Sequence, residues 1–256
     1  MRLTFLGTGT SSGVPMVGCD CAVCTSSDPR DRRLRTSALV ETGGKVLLID
    51  AGPDLRQQLL TTRTTTLDAV LLTHAHMDHI AGIDELRALN YFQKRPMDLY
   101  ADAGTLGAVR RVFAYAFEPD KYPGTPELVL RSIEEAPFTA SGIPVVPVRV
   151  EHYRMPVLGF RVGGLAYITD AKHIADAEKD KLRDLDVLVV NALRREPHIS
   201  HFTLAEALAL VRELGPRRTY LTHISHQLGR HADVQQELPP GVHLAHDGLV
   251  VELAGT

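Results

Sequence analysis

Thr73-His74-Ala75-His76-Met77-Asp78-His79 follows directly on the apolar run Ala69-Val70-Leu71-Leu72 and places four metal-competent side chains within six residues. The apolar run reads as a buried strand and the polar run as the loop that leaves it. Residues two apart on an extended segment project to the same side, so His74 and His76 can grip one ion together. Asp78 and His79 then face elsewhere as the chain bends. That suits a second ion beside the first, with the Asp78 carboxylate supplying charge that neutral imidazoles do not. A merely polar, His-rich loop is the alternative, and it leaves these offsets unexplained.

Further candidates lie at the ends of later strands. His152 follows the strand-like Val145–Val150, Asp170 follows Leu165–Ile168 through Thr169, and His223 follows Arg218–Leu221 through Thr222. A single His after a strand is usually structural, but three such exits joined to the opening cluster form a constellation. His74, His76 and His152 are assigned to one ion and Asp78, His79 and His223 to the other. Asp170 bridges them, leaving coordination positions open for water and substrate.

All three cysteines sit in Gly18-Cys19-Asp20-Cys21-Ala22-Val23-Cys24. An odd, crowded set argues against a disulfide framework. Metal ligation needs a fourth ligand from far along the chain, for which His226 is the candidate; a redox pair or simple reduced thiols are the other readings.

The remaining pattern alternates strands with helices. Strands are expected at Leu3–Leu6, Thr36–Glu41 and Lys45–Ile49, with Gly43-Gly44 turning the last two into a hairpin. Helices at Pro53–Leu60 and Gly82–Leu89 precede a strand at Met97–Ala101 and a helix at Leu106–Phe117. Further strands are expected at Val145–Val150, Phe160–Val162, Leu165–Ile168, Val187–Val190, Arg218–Leu221 and Leu249–Leu253, with a helix at Thr203–Leu214. The Pro- and Gly-rich stretch Glu118–Pro126 reads as a lid over the site or as an ordinary surface loop. Two sheets with helices outside them give an α/β fold, a four-layer αββα sandwich.

With 256 residues, 44% hydrophobic and 23% charged, the chain fits one large domain spanning 1–256 better than two small ones. A net charge of −3 offers no broad attraction to nucleic acid. Met1–Gly7 is too short an apolar run for a signal peptide, and no run reaches membrane-spanning length. A soluble, cytoplasmic protein without membrane contact is expected.

His-x-His-x-Asp-His after a strand, followed by His152, Asp170 and His223, resembles the signature of the metallo-β-lactamase superfamily. Gly7-Thr8-Gly9-Thr10-Ser11-Ser12-Gly13-Val14-Pro15, the cysteine run, and Leu221-Thr222-His223-Ile224-Ser225-His226-Gln227 are similar, more narrowly, to the PhnP-like phosphoribosyl 1,2-cyclic phosphate phosphodiesterase branch known from phosphonate degradation. The resemblance spans nearly the whole chain. It implies a structural zinc on Cys19, Cys21, Cys24 and His226, and two divalent ions, zinc or manganese, at the active site. Two ions about 3.5–4 Å apart can share a hydroxide and stabilise both the attacking and leaving oxygens. The implied reaction uses that bridging hydroxide to open a five-membered cyclic phosphate on ribose, giving ribose 1,5-bisphosphate. The expected partner is thus a small cyclic phosphodiester, ribose- or nucleotide-based; nucleic acid is not expected, and a homodimer is allowed.

The same resemblance implies catalytic roles for Asp78 and His201. His201, in Ser200-His201-Phe202-Thr203-Leu204, matches a catalytic His that stands before a helix in phosphodiesterase members, and would also bind the phosphate. A helix amino terminus nearby favours an anion. His198 is the substitute candidate. His173, His231, His243 and His246 are expected to face solvent. Arg30–Arg35 reads as a contact for a substrate's terminal phosphate or, more simply, as a solvated charged loop. Other classes stay in view: a tRNA 3′-processing endonuclease, a catalytically inactive zinc-stabilised binding protein, and a thioesterase of the glyoxalase II type. The endonuclease would carry a long Gly- and Pro-rich arm, and only Glu118–Pro126 approaches one. The inactive protein would lack active-site ligands, and the thioesterase would lack the cysteine site.

Overall fold

Runs of apolar residues without polar alternation, such as Lys45–Ile49 and Val187–Asn191, call for strands covered on both faces. The computed structural model, which describes residues 1–253, shows how they are covered. The first sheet takes strands in the order β14 (Val250–Glu252), β1 (Arg2–Gly7), β2 (Ser37–Thr42), β3 (Lys45–Ile49), β4 (Ala69–Leu71), β5 (Met97–Ala101) and β6 (Leu128–Ser132). The second runs β13 (Val242–Leu244), β12 (Arg218–Thr222), β11 (Val187–Asn191), β10 (Leu165–Tyr167), β9 (Met155–Val162), β8 (Ile143–His152) and β7 (Phe138–Ala140).

Alternate residues of each strand serve different layers. Leu47 and Ile49 meet Phe160, Tyr167 and Val189 between the sheets, while Leu48 points outward to Leu55 and Leu59 of α1 (Leu55–Thr62) and Leu86 and Leu89 of α3 (Leu86–Gln93). In the second sheet Val187 and Val189 face inward, whereas Leu188 and Val190 pack against Ala207, Leu210 and Leu214 of α6 (Leu204–Leu214). The expected αββα order is therefore present. The expected α6 is capped as its sequence suggests: Thr203 accepts from the Glu206 N–H, Glu206 reaches back to the Thr203 N–H, and Gly215 ends the helix at φ +61°.

Other boundaries differ from the sequence pattern. The helix expected at Leu106–Phe117 is α4, Ala103–Val112; it starts earlier because Asp102 accepts from the Thr105 N–H, and Ala114–Ala116 forms a separate 3₁₀ turn. The strand expected at Phe160–Val162 begins at Met155, since pairing with β8 overrides Pro156 and Gly159. Strands β6, β7 and β13, and helix α7 (His231–Glu237), were not anticipated. No helix among the described residues is long and apolar enough to cross a membrane.

Parallel pairing sets the position of the functional end. Strands β3, β4 and β5 are mutually parallel, as are β10, β11 and β12, so residues that follow these strands emerge together.

Within Arg30–Arg35, Arg30 and Arg32 are exposed as a solvated loop requires, while Arg33 and Arg35 are tied into the structure. Arg30 pairs with Asp28, Arg35 with Asp54, and Arg33 is buried, donating to the Thr8 hydroxyl and the Ala245 carbonyl and lying 3.1 Å from His231 Nδ1. Burial pulls the Arg33 pKa down to about 10, and burial together with Arg33 lowers His231 to about 4. His231 is thus a core residue. His243 is half-buried and stacks on Tyr220, and His246 is half-buried near His231; only His173 is exposed as expected. Arg33→Ala should lose roughly 1.5–3 kcal/mol of folding stability, the scale of hydrogen bonds to a charged group. Arg33→Lys should recover little of it, because one ammonium cannot span the same fork of partners. Urea unfolding would check both variants.

Candidate metal centres

The turn after β4 places His76 just before the short helix α2 (Met77–Ile80), which carries Asp78 and His79. Together with His152 at the end of β8, Asp170 beyond β10 and His223 beyond β12, the seven residues selected from sequence converge. Ligand atoms of Asp78, His79, Asp170 and His223 lie within 4.8 Å of one another, as do those of His74, His76 and Asp170, and those of His152, Asp170 and His201. Asp170 belongs to all three groups. Its Oδ1 is 3.4 Å from His79 Nε2 and 3.1 Å from His223 Nδ1, while its Oδ2 is 3.8 Å from His74 Nε2 and 3.2 Å from His201 Nε2. One oxygen per half is what a bridging carboxylate requires.

Hydrogen bonds aim the ring nitrogens. Asp50, at the end of β3, accepts from Thr73 N–H, from the Thr73 hydroxyl, and from His79 Nδ1 at 2.7 Å. His74 Nδ1 lies 3.0 Å from that hydroxyl, and His152 Nδ1 donates to the Ser200 carbonyl at 2.9 Å. Nδ1 is thereby engaged in all three rings, so Nε2 points into the cluster. The Nε2 atoms of His74 and His79 are buried with no hydrogen-bond partner. Buried nitrogens without partners are costly, and a cation would satisfy them. Sequence reasoning missed Asp50; an Asp ending a strand parallel to β4 was the available signal, since histidine ligands commonly hand their second nitrogen to a carboxylate.

Charge points the same way. Asp50, Asp78 and Asp170 have ion-pair partners that are histidines alone among the described residues. Burial opposes a charge on His79, yet Asp170 and Asp50 outweigh it and raise its pKa well above the ordinary value. Burial likewise opposes ionisation of Asp170, but His223 and His79 hold its pKa well below the carboxylate range. Burial lowers His74 strongly and brings His223 down to about 4, the neutral form that donates a lone pair. The backbone is held in an unusual shape here: Asp50, Asp170 and His223 have φ of +61°, +54° and +54°. Gly52 is required because a Cβ there would overlap the Asp78 carbonyl oxygen.

His201 stands on the loop before α6 and is closer in than a peripheral catalytic group, within coordinating range of Asp170 and His152. Its Nδ1 is 3.1 Å from His198 Nδ1, which also accepts the Ser200 N–H. His198 therefore sits behind His201 rather than in its place. Glu118–Pro126 does not line the cavity at the histidines; Gly124 and Thr125 border a different cavity with Tyr91, Phe92 and Lys94.

A second centre lies on the amino-terminal loop. Cys19, Cys21, Cys24 and His226 bring their ligand atoms within 4.8 Å of one another, with both Cys19 Sγ and Cys21 Sγ 3.3–3.4 Å from His226 Nδ1. A tetrahedral zinc with Zn–S of about 2.3 Å and Zn–N of about 2.0–2.1 Å sets sulfur and nitrogen about 3.5 Å apart. The geometry fits. The bond from His226 lowers Cys21 to about 6, while burial lifts Cys24 to about 11, a cost that a bound cation would reverse.

Reconstitution with zinc and manganese should give three metals per chain by elemental analysis; at most one would contradict the two-centre arrangement. Cys21→Ser should lower the melting temperature, because metal affinity and folding are coupled at such a site. Asp78→Ala should abolish turnover with a smaller loss of stability.

Comparison with known proteins bears on the fold and the family. Residues 45–224 match the family model for the beta-lactamase superfamily domain. A crystal structure of a diphosphatase from the PhnP family is 41% identical, with a TM-score of 0.92, covering 98% of this chain and 97% of that one. Zn²⁺-bound PqqB from Methylobacterium extorquens shares the fold at 22% identity and a TM-score of 0.78, covering 99% and 100% of the two chains. An octanoyltransferase from Porphyromonas gingivalis is 42% identical over 97% of this chain, but this chain spans only 51% of that protein's length. A buried His/Asp cluster, a Cys₃His cluster and near-complete alignment at 41% identity coincide in one chain, which belongs to the metallo-β-lactamase superfamily and, within it, to the PhnP family.

Proposed function

We propose that this metal-dependent hydrolase is a phosphodiesterase whose substrate is a cyclic phosphodiester on ribose, either phosphoribosyl 1,2-cyclic phosphate or a cyclic nucleotide. The observation that carries the reading is Asp170, whose two carboxylate oxygens face separate groups of imidazoles with His201 against one of them. His74, His76 and His152 would hold one divalent ion, Asp78, His79 and His223 the other, and Asp170 both. When bound, such a pair supplies Lewis acidity and an activated water at neutral pH. Asp50 and Thr73 keep the His79 and His74 rings oriented throughout, and the buried strand ends exclude bulk water from their inner faces.

His201 would move the proton. Its Nδ1 meets a His198 nitrogen that already accepts from Ser200 N–H, so His201 donates there, and its Nε2 faces the Asp170 carboxylate. With both nitrogens protonated it can deliver a proton from Nε2 to a departing sugar oxygen. Burial and the neighbouring His201 lower the His198 pKa, which keeps it an acceptor.

The diphosphatase relative supports a second substrate reading, a diester of diphosphate, since its phosphoryl centres likewise carry an ester or anhydride oxygen that must leave. A panel of ribose 1,2-cyclic phosphate, a nucleoside 2′,3′-cyclic phosphate, a dinucleoside diphosphate, a phosphomonoester, a lactam and an octanoyl thioester separates these. Cleavage of the diesters well above the monoester is expected; lactam or thioester hydrolysis without diester cleavage would overturn the proposal. His201→Ala should reduce kcat by roughly 10²–10⁴-fold on a sugar cyclic phosphate. The fall should be smaller on bis(p-nitrophenyl) phosphate, whose aryl oxide departs without a proton. Equal falls would leave His201 as a phosphate-positioning residue only.

A further inference from the structure

The cavity at the histidines extends beyond the metal ligands. About 540 Å³ in volume, it is bordered by His76 and His152 on one side and continues to Tyr153, Arg154, Ile199 and Ser200. That lies within the range of about 300–1,000 Å³ typical of small-molecule sites. Two segments build its outer part. The β8–β9 hairpin has a two-residue tip, Tyr153-Arg154, because His152 pairs directly with Met155. The facing wall is the 197–201 loop, which carries His201 and whose Ser200 carbonyl holds His152.

The tip is chemically odd for a hairpin. Tyr153 has φ +59°, a conformation that favours Gly, Asn or Asp and is uncommon for an aromatic residue. Tyr153 is 48% exposed, and Ile199, which lines the same cavity, is 64% exposed. Neither contributes to the core. The Arg154 guanidinium lies over the Tyr153 ring, 5.1 Å from its centroid, so two planar groups sit together at the rim. Ring and guanidinium planes are the surfaces on which unpaired nucleobases stack, and a tyrosine offers such a surface at low conformational-entropy cost. A substrate consisting only of sugar and phosphate offers no planar or apolar face for Tyr153, Arg154 and Ile199 to meet.

We propose that Tyr153, Arg154 and Ile199 form a subsite for the nucleobase of the substrate, so that this enzyme acts on nucleoside-bearing phosphodiesters in preference to base-free ribose phosphates. The subsite rests on the phosphodiesterase reading and narrows it. The phosphoryl group would sit at the Asp170 cluster while the base lies between the hairpin tip and Ile199, joined by a ribose that spans the region between His152 and Ser200.

Calorimetric binding of adenosine 5′-monophosphate and of ribose 5-phosphate to the zinc-reconstituted protein tests the subsite without turnover. Wild type should prefer the nucleotide, and Tyr153→Ala should reduce that preference by roughly 5- to 100-fold, the range spanned by base–aromatic stacking. Tyr153→Phe should retain the preference. The ratio of kcat/KM for adenosine 2′,3′-cyclic phosphate over ribose 1,2-cyclic phosphate should follow the same order across the three proteins. Equal wild-type affinity for the two ligands, or a Tyr153→Ala variant that keeps the full preference, would overturn the subsite. If the binding preference holds and behaves as expected while no diester is cleaved, the subsite stands and the reaction reading fails. If diesters are cleaved without regard to a base, the reverse follows.

Discussion

A carboxylate buried to 2% exposure, with histidines for its ion-pair partners, is the constraint around which this molecule is organised. Asp170 could not remain ionised there without positive charge close to both oxygens. His79, whose pKa is raised, supplies it at Oδ1, while His74, His201 and His223 bring further ring nitrogens to the two oxygens from side chains delivered by both sheets. The orientation of His74 and His79 depends on Asp50 and Thr73, which stand at the ends of β3 and β4. The fold's inner layers therefore meet in a polar site that makes sense only with additional cationic charge.

The two sheets make this convergence possible because each has a parallel core. Strands β3 and β4 in one sheet, and β10, β11 and β12 in the other, run so that the loops after them open at a common end. Antiparallel β8 contributes from the opposite connection, with His152 at its tip. The left-handed backbone at Asp50, Asp170 and His223 turns each chain sharply just beyond its strand and keeps the side chain inside. Apolar contacts on both faces of these strands hold the turns in place.

The amino-terminal loop is fastened to the same end by two different devices. Cys19, Cys21 and Cys24 gather at His226, three residues past His223, while Arg33 reaches Thr8, Ala245 and His231. Thr10 on this loop places its hydroxyl 3.2 Å from His223 Nε2, and Thr36 lies 3.3 Å from His223 Nδ1. Stability of the loop and orientation of one histidine are thus linked through a short path of contacts.

The sequence by itself picked out the His, Asp and Cys side chains that the fold gathers, because metal-competent side chains are rare enough that their offsets carry information. Two apart on an extended segment, adjacent in a turn, and one or two residues beyond a strand all leave a trace in one dimension. The αββα layering was legible for a similar reason, since strands buried on both faces read as continuous apolar runs. Asp50, the buried Arg33–His231 pair and the left-handed backbone at Tyr153 were decided only by the tertiary structure. Each is an ordinary residue in sequence, and its role comes from neighbours about 30 to 200 positions away, or from a backbone angle that no residue type announces. The Arg30–Arg35 run shows the limit most plainly: the same charges suit a solvated loop or a buried anchor, and only packing against Thr8, Ala245 and Asp54 chooses between them.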